Sequence, residues 1–487
     1  MPRKIISLRL LIAMVAVGAV TCNTAMGGAA FASDEAPPTT NPLAPASLDS
    51  TAAVTPRAYV PSLTRNWPFS TVFGIETYSL SGSLDAIAAT GTTWIRRNGL
   101  IWRNVEPTEG ARNWSAAADV EADMIAASNR NLKFILIIHG TPNWAAQFNN
   151  YMCSPIRSDK INAFAAFVHD AVARYSKPPY NVKYWEIWNE PDLGRPLSGS
   201  PTLVEQPYGC WGNPNDPYYG GGEYAAILRA VTPQIKAADP SAKVVLGGLL
   251  LDCNPNRPPA NSDCAMGRYL EGILRNGGAS YFDGISFHAY DFYNTSANVL
   301  GKYYSPKWFS ASDTTGPVLI AKTRFIKDLL SQYGVTGKFL MNTEVGVLCY
   351  KCNTLLSNFG NTKAYYIPQA YSAAIAEGLT TNIWYSFEGW FFSELNEPAY
   401  TAFKVARNKL GDVTYTGEVT GGDVGASGVK GYKFSRNGKA LWVIWSLDGN
   451  RNITLPSAPA AITDALGASV SSASTLELTV KPLYIEW

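Results

Sequence analysis

Apolar residues along this chain fall into short, nearly unbroken runs, separated by stretches in which they recur every three or four positions. The runs are TVFGIETY (71–78), TWIRRNG (93–99), KFILIIH (133–139) and YWEIWNE (184–190). KVVLGGL (243–249), GISFHAY (284–290), KFLMNTE (338–344) and NIWYSFE (382–388) follow. Between them AAADVEADMIAAS, KINAFAAFVHDAVARY, EYAAILRAVTPQIKAA and KTRFIKDLLSQYG read as helices. Strands this apolar are buried on both faces, as in a parallel sheet covered by helices. Eight such units over roughly 350 residues predict an α/β fold, a (β/α)8 TIM barrel with enlarged loops spanning residues 61–411. An open doubly wound sheet would want a Gly-rich phosphate loop after an early strand, and the sequence has none.

The texture changes near residue 412. GVKGYKFSRNGKALWVIWSLDGNRNITL alternates apolar and polar positions around NG and DG turns, and STLELTVKPLYIEW ends the chain. Residues 412–487 are therefore expected to form a small all-β sandwich. Alone it would have a thin core, so it is expected to pack on the barrel.

At the other end, Arg3, Lys4 and Arg9 precede the apolar LLIAMVAVGAV, and AFA closes the segment at 30–32. This is a secretory signal peptide pattern over residues 1–32, too short and wrongly flanked for a membrane span. Lipidation at Cys22 is a minor alternative, because AVTC fits a lipobox poorly. Residues 33–60, rich in Pro, Ala and Thr, read as a disordered tether. The expected location is secreted, extracellular or periplasmic.

Charge excludes more than it suggests. Lys+Arg number 40 and Asp+Glu 38, and losing three cations with the leader moves the balance from +2 to −1. Such a chain carries no electrostatic footprint for nucleic acid or an anionic membrane. Fourteen Trp and 26 Tyr would suit sugar faces, but most of them belong to a core. Six cysteines remain after processing: Cys153, Cys210, Cys253, Cys264, Cys349 and Cys352. An even number in an exported chain reads as disulfides, with about 15 pairings open. The Cys349–Cys352 CxxC has neither a second CxxC nor a nearby histidine, so a local disulfide is preferred over zinc.

In a parallel barrel the chemistry sits at the carboxyl ends of the strands. Strand four ends in Asn189-Glu190 and strand seven in Thr343-Glu344. Strand six carries His288 and Tyr290, strand three ends at His139, strand two holds Arg96 and Arg97, and strand eight runs into Trp384 and Trp390. Two carboxylates facing each other across the mouth are what glycoside hydrolysis requires.

WEIWNEP, SFHAY, LMNTEVG and RRNGLIWRNVEPTEG together resemble clan A of the glycoside hydrolases, the retaining (β/α)8 enzymes. The TPNWA segment after strand three and the small C-terminal β-domain are most similar to the family 39 and family 5-like branches. The resemblance covers about residues 65–487. It implies Glu190 as acid/base and Glu344 as nucleophile, with carboxyl groups about 5–5.5 Å apart. It implies Asn189 on the sugar 2-hydroxyl, Tyr290 as hydrogen-bond donor to the nucleophile, and Arg97 holding Glu344 ionised. His139 and His288 match ring-lining positions, and Trp384 a sugar platform. No metal or cofactor is implied.

Other residues fit structural tasks. Glu186, deeper on the same face as Glu190, suits a buried pair with Arg96 or Arg97. Asp192 reads as a loop residue, His169 as part of an outer helix, and Trp442 and Trp445 as sandwich core; Glu388 faces substrate or solvent. All six cysteines fall in loops after strands, hence on the catalytic face. The preferred pairing is Cys153–Cys210, Cys253–Cys264 and Cys349–Cys352, pinning pocket walls such as loop 192–222.

The function expected is a secreted retaining glycosidase acting on plant- or microbe-derived oligo- or polysaccharides, in the manner of a β-xylosidase, another β-glycosidase or an endo-glycanase. A transglycosylase would use the same residues. A non-catalytic carbohydrate-binding protein would not need both carboxylates.

Overall fold

The computed structural model describes residues 71–195, 206–352 and 356–487. The signal pattern, Cys22 and the tether to residue 60 lie outside the described residues, as do 196–205 of the loop after strand four. Each of the eight apolar runs forms a strand. They are β1 (Phe73–Glu76), β2 (Trp94–Ile101), β3 (Lys133–His139), β4 (Tyr184–Asn189), β5 (Lys243–Leu249) and β6 (Gly284–Phe292). A short antiparallel pair follows, β7 (Tyr304–Ser305) and β8 (Ser310–Ala311), then β9 (Phe339–Leu348) and β10 (Thr381–Trp384). The barrel strands pair in parallel in the order β5-β4-β3-β2-β1-β10-β9-β6, and β5 with β6 closes the ring. Closure removes the exposed edges of an open sheet.

Alternation along the strands divides the apolar side chains between two cores. Trp94, Ile135, Tyr184, Val245, Met341 and Ile383 point inward and plug the barrel. Trp94 and Tyr184 meet edge to face at 4.8 Å. Their neighbours Ile95, Leu136, Trp185, Val244 and Trp384 point outward into a larger core under the helices. Helix Ile161–Tyr175 shows how that core is covered: Phe164, Phe167, Val168, Ala171, Val172 and Tyr175 recur at helical spacing and are all buried.

The C-terminal residues form a six-stranded antiparallel sheet and a two-stranded one. In chain order the strands are β11 (Thr414–Glu418), β12 (Val429–Arg436), β13 (Lys439–Ser446), β14 (Arg451–Thr454), β15 (Ala461–Asp464), β16 (Ser469–Val470), β17 (Thr475–Leu478) and β18 (Leu483–Glu486). Asn437 and Gly438 turn β12 into β13 with φ of 51° and 80°, the left-handed pair that a tight hairpin needs. One side of β13 (Trp442 and Ile444) packs with Ile453, Ile462, Leu478 and Ile485 between the two sheets. The other side, Leu441, Val443 and Trp445, joins the helix-covered core of the barrel. Phe69–Trp487 is accordingly one compact unit.

Trp445 is buried in that shared core. Trp445→Ala is expected to lower the unfolding free energy by about 3–5 kcal/mol. In denaturant titration this reads as a lower midpoint at unchanged slope. A second transition appearing in the variant would mean that the sandwich unfolds independently of the barrel.

Candidate active site

Inward phase on β2 brings Arg96 to the barrel axis, above the apolar plug. Its guanidinium is fully buried and serves four partners. Nε and Nη2 grip Glu186 at 2.8 and 3.0 Å, Nη1 donates to Glu76 at 2.5 Å and to Glu344 at 2.7 Å, and Nη2 also donates to Asn189 Oδ1. Glu186 is further held by the Gly248 amide at 2.7 Å and the Ser286 hydroxyl at 3.0 Å. With every acceptor occupied, Glu186 is a structural counter-ion to Arg96.

Glu190 follows the end of β4 in a left-handed conformation (φ 49°), as does Trp188 two residues earlier (φ 73°). Non-glycine residues adopt this region at a cost of about 1 kcal/mol or more. Three contacts keep them there. The Glu190 amide donates to Gly248 O at 2.9 Å, the Trp188 indole to Gly209 O at 3.0 Å, and the Gly209 amide back to Asn189 O at 2.9 Å. Asp192 clamps the same exit by accepting from the amides of Leu250 and Leu251 at 2.9 and 2.8 Å.

Glu344, on β9, accepts from Arg96 through one oxygen and from the Tyr290 hydroxyl through the other. His288 lies between the two carboxylates, with Nδ1 2.8 Å from Glu190 and 3.4 Å from Glu344. Its Nε2 faces Arg96 Nη2, a donor, at 3.4 Å. Nε2 is therefore the unprotonated nitrogen, and Nδ1–H donates to Glu190. Burial, reinforced by Arg96 and Lys322, holds His288 well below the usual imidazole range and so neutral. One ligand atom each from Glu190, His288 and Glu344 lie within 4.8 Å of one another. A cation there would have to displace the Nδ1 proton and compete with Arg96 and Tyr290 for both Glu344 oxygens.

Burial disfavours charge on these acids, and Arg96 and Lys322 offset it only in part, so protons are retained. Burial, followed by the charges of Glu344 and Asp192, raises Glu190 well above the usual carboxylate range. Burial pushes Glu76 up to about 8, against the pull of Arg96. Burial raises Glu344 as well, but Arg96 and the Tyr290 hydrogen bond oppose it, so its charged form is the better supported.

Two expected site residues lie elsewhere. Arg97 does not touch Glu344. It is one position out of phase with Arg96, points out of the barrel, and pairs with Asp123 at 2.7 Å and Asp119 at 3.0 Å on helix Ala118–Asn129. Trp384 is no sugar platform, because it is wholly buried on the outer side of β10 with its indole donating to Ser393 O at 2.9 Å. His139 ends β3 edge-on to Trp188, and burial with Arg96 nearby lowers it to about 3. Its Nδ1 has no hydrogen-bond partner. Of the two ring-lining histidines, His288 is the one that touches a carboxylate.

Glu76 and Tyr385 carry no signal that singled them out in the sequence, and of the two tryptophans around strand eight it is Trp390, not Trp384, that reaches the site. Tyr290 packs edge to face with Tyr385 at 6.0 Å and Trp390 at 5.8 Å. Glu76 has the inward phase at the end of the first run; Tyr385 follows β10, one position beyond the outward Trp384. The sulfurs pair as Cys153–Cys210, Cys253–Cys264 and Cys349–Cys352, in loops after β3, β4, β5 and β9.

No protein-family model and no curated protein matches the chain. Among solved structures it is similar to a family 39 glycoside hydrolase from the gut symbiont Bacteroides cellulosilyticus WH2, with a TM-score of 0.63 and 18% identity over 86% of this chain and 81% of that one. A GH30 endoxylanase from Clostridium papyrosolvens C71 gives a TM-score of 0.53 and 12% identity over 86% and 97% of the two chains. An alpha-L-arabinofuranosidase from Thermotoga maritima gives 0.51 and 13% over 86% and 97%. At these identities the likeness establishes the fold, an eight-stranded parallel barrel.

The Glu76 proton should be visible in stability. A carboxyl whose pKa is raised by folding stabilises the fold while protonated. That contribution is full below about 4.5 and is lost as pH rises through about 8. Glu76→Gln removes it, so the fall in stability between about pH 5 and pH 8 should be shallower by up to ~1.4 kcal/mol per pH unit. Melting curves across that range provide the measurement. Identical pH slopes in the two proteins would mean that Glu76 is ionised throughout.

Proposed function

We propose that the protein is an exported retaining glycoside hydrolase. One observation carries the reading: two buried carboxylates with oxygens within 4.8 Å of each other, one tied to a cation and a phenol, the other to a neutral imidazole. Oxygens this close suit the carboxyl separation of about 5–5.5 Å in retaining enzymes better than the about 6.5–9.5 Å that leaves space for a water in inverting ones. Export is supported by the leader pattern and by three bonded cysteine pairs.

The steps follow from the protonation states. Glu344, ionised, attacks the anomeric carbon while the raised pKa of Glu190 lets it give its proton to the departing oxygen. A glycosyl ester forms on Glu344, and Glu190 is left as carboxylate. Water enters where the leaving group stood; Glu190 takes its proton as the oxygen bonds to the anomeric carbon, and Glu344 leaves with its electron pair. His288 orients Glu190 throughout. Asn189, fixed by Arg96, offers its amide NH2 to a sugar hydroxyl. The substrate class is carbohydrate.

Glu344→Ala should abolish hydrolysis of aryl glycosides, and azide should restore turnover with a product of inverted configuration. Full activity in that variant would remove Glu344 from the mechanism. The pH profile of kcat/KM should be bell-shaped, its alkaline limb set by Glu190, and Glu190→Gln should flatten that limb for substrates with good leaving groups. An unchanged limb would mean that another group donates the proton. Arg96→Lys should cost ~100-fold or more in kcat, because an ammonium cannot reach four acceptors in one plane. Arg97→Lys should stay within about threefold, since Arg97 faces the helix layer. Equal losses at both positions would contradict these assignments.

A further inference from the structure

We propose that Lys322, on a helix outside the barrel, is a positioning residue for the acid/base, bracing the two backbone segments that hold Glu190. This rests on the glycosidase reading above. Lys322 belongs to helix Leu319–Gln332, which packs against β6 and β9, and its residue is only 4% exposed. An ammonium taken out of water needs other acceptors in its place. It finds two backbone carbonyls: Nζ donates to Leu250 O at 2.6 Å and to His288 O at 2.7 Å. The Trp308 ring lies 5.7 Å away, and the Trp308 indole donates to the neighbouring Leu251 O at 2.7 Å.

Those carbonyls stand at the seam that closes the barrel. The pairing of β5 with β6 shifts register after Leu246 and ends at Leu249 opposite Phe287. Leu250 and His288 come next on the two segments, so the lysine cross-links them where their main-chain pairing stops. Each segment then holds Glu190 from its own side. His288 Nδ1 lies 2.8 Å from the Glu190 carboxyl. The Leu250 and Leu251 amides donate to Asp192, two residues beyond Glu190, at 2.9 and 2.8 Å. Glu190 sits in a left-handed conformation (φ 49°), so outside contacts rather than backbone preference keep it in place. One ammonium thus secures both the partner of the carboxyl group and the exit of the strand that carries it.

The brace works through hydrogen bonds. Burial lowers the ammonium to about 8, against the pull of Asp252, Asp192, Asp291 and Glu190. Losing that proton still leaves two N–H groups for two carbonyls. What the lysine governs is the place of the acid. A proton donor must stay within hydrogen-bond reach of the departing oxygen, and a displacement of about 1 Å can cost ~100-fold. A leaving group that is stable as an anion needs no proton. A misplaced acid is therefore visible as a steeper dependence of rate on leaving-group basicity.

The test uses the full-length protein and aryl glycosides of whichever of xylose, glucose, galactose, mannose or arabinose the wild type accepts. Lys322→Met keeps the length of the side chain and loses its donors. It is expected to lower kcat/KM about tenfold or more on the phenyl glycoside, and to leave the 2,4-dinitrophenyl glycoside within about threefold. Lys322→Gln, with an NH2 on a shorter stem, should fall between wild type and Lys322→Met, and carries the comparison if the methionine variant does not fold. On the 4-nitrophenyl glycoside, Lys322→Met should cost nothing further once Glu190→Gln is in place, because the lysine acts through that residue. Equal losses on the phenyl and dinitrophenyl glycosides would mean that Lys322 merely supports the fold. No loss on either would mean that Glu190 needs no brace, and a fully additive loss beside Glu190→Gln would place its action elsewhere. Each of these outcomes overturns this inference alone. Wild-type protein that hydrolyses none of the glycosides overturns the glycosidase reading and this inference with it.

Discussion

One buried guanidinium organises this protein. Arg96 sits on the barrel axis without solvent, where an unpaired cation would cost several kcal/mol. It is matched by three carboxyl groups, Glu76, Glu186 and Glu344, and by the Asn189 carbonyl. Three acids in contact with this one guanidinium, with Glu190 beyond them and the Lys322 ammonium behind His288, are more than it can neutralise, and burial favours protons on the excess. Glu344 has two donors, so it is the better placed to stay charged; Glu190, with a single imidazole N–H, is pushed well toward its acid form. The division of labour between the two candidate catalytic groups thus follows from burial, which raises both, and from the two direct donors that only Glu344 has.

Space around this cluster is as constrained as charge. A Cβ on Gly248 would lie 2.2 Å from His288 Nε2 and 2.9 Å from Glu186 Oε1, and one on Gly247 would lie 2.3 Å from Ile187 O. The LGGL of β5 is therefore a clearance for its neighbours on both sides of the sheet. The disulfides act one layer further out. Cys153–Cys210 ties the loop after β3 to the long loop after β4 across 57 residues of sequence, next to the Gly209 that fixes Trp188 and Asn189. Charge at the axis, clearance around it and staples above it operate on the same strand ends.

Much of this was legible beforehand because it depends on local pattern. Apolar runs of seven or eight residues alternating with helical periods admit few folds, and all eight runs became parallel strands. The hairpin at Asn437-Gly438 and the alternation of β13 followed from turn chemistry and a period of two. Glu190 and Glu344 could be nominated because each follows or ends a strand whose carboxyl end must face the mouth. The residues that went astray share one feature: their side of the strand decides their role. Trp384 had the right strand and an aromatic ring, yet faces the helices, while Tyr385 one residue on reaches Tyr290.

The sequence alone determined the strand and helix order, the change to antiparallel strands near residue 412, and two acids toward the carboxyl ends of two different strands. Those depend on periodicity, which each segment carries within itself. Only the tertiary structure decided that Arg96 rather than Arg97 meets Glu344, and that Glu76 shares the same nitrogen. Those facts depend on the phase of each strand and on contacts between different strands and loops, 20 positions apart for Arg96 and Glu76 and 248 for Arg96 and Glu344. In a strand with polar residues at adjacent positions, as in TWIRRNG, a shift of one residue exchanges the axis for the helix layer. Closure of the ring against its neighbours fixes that phase, and no single strand contains the information.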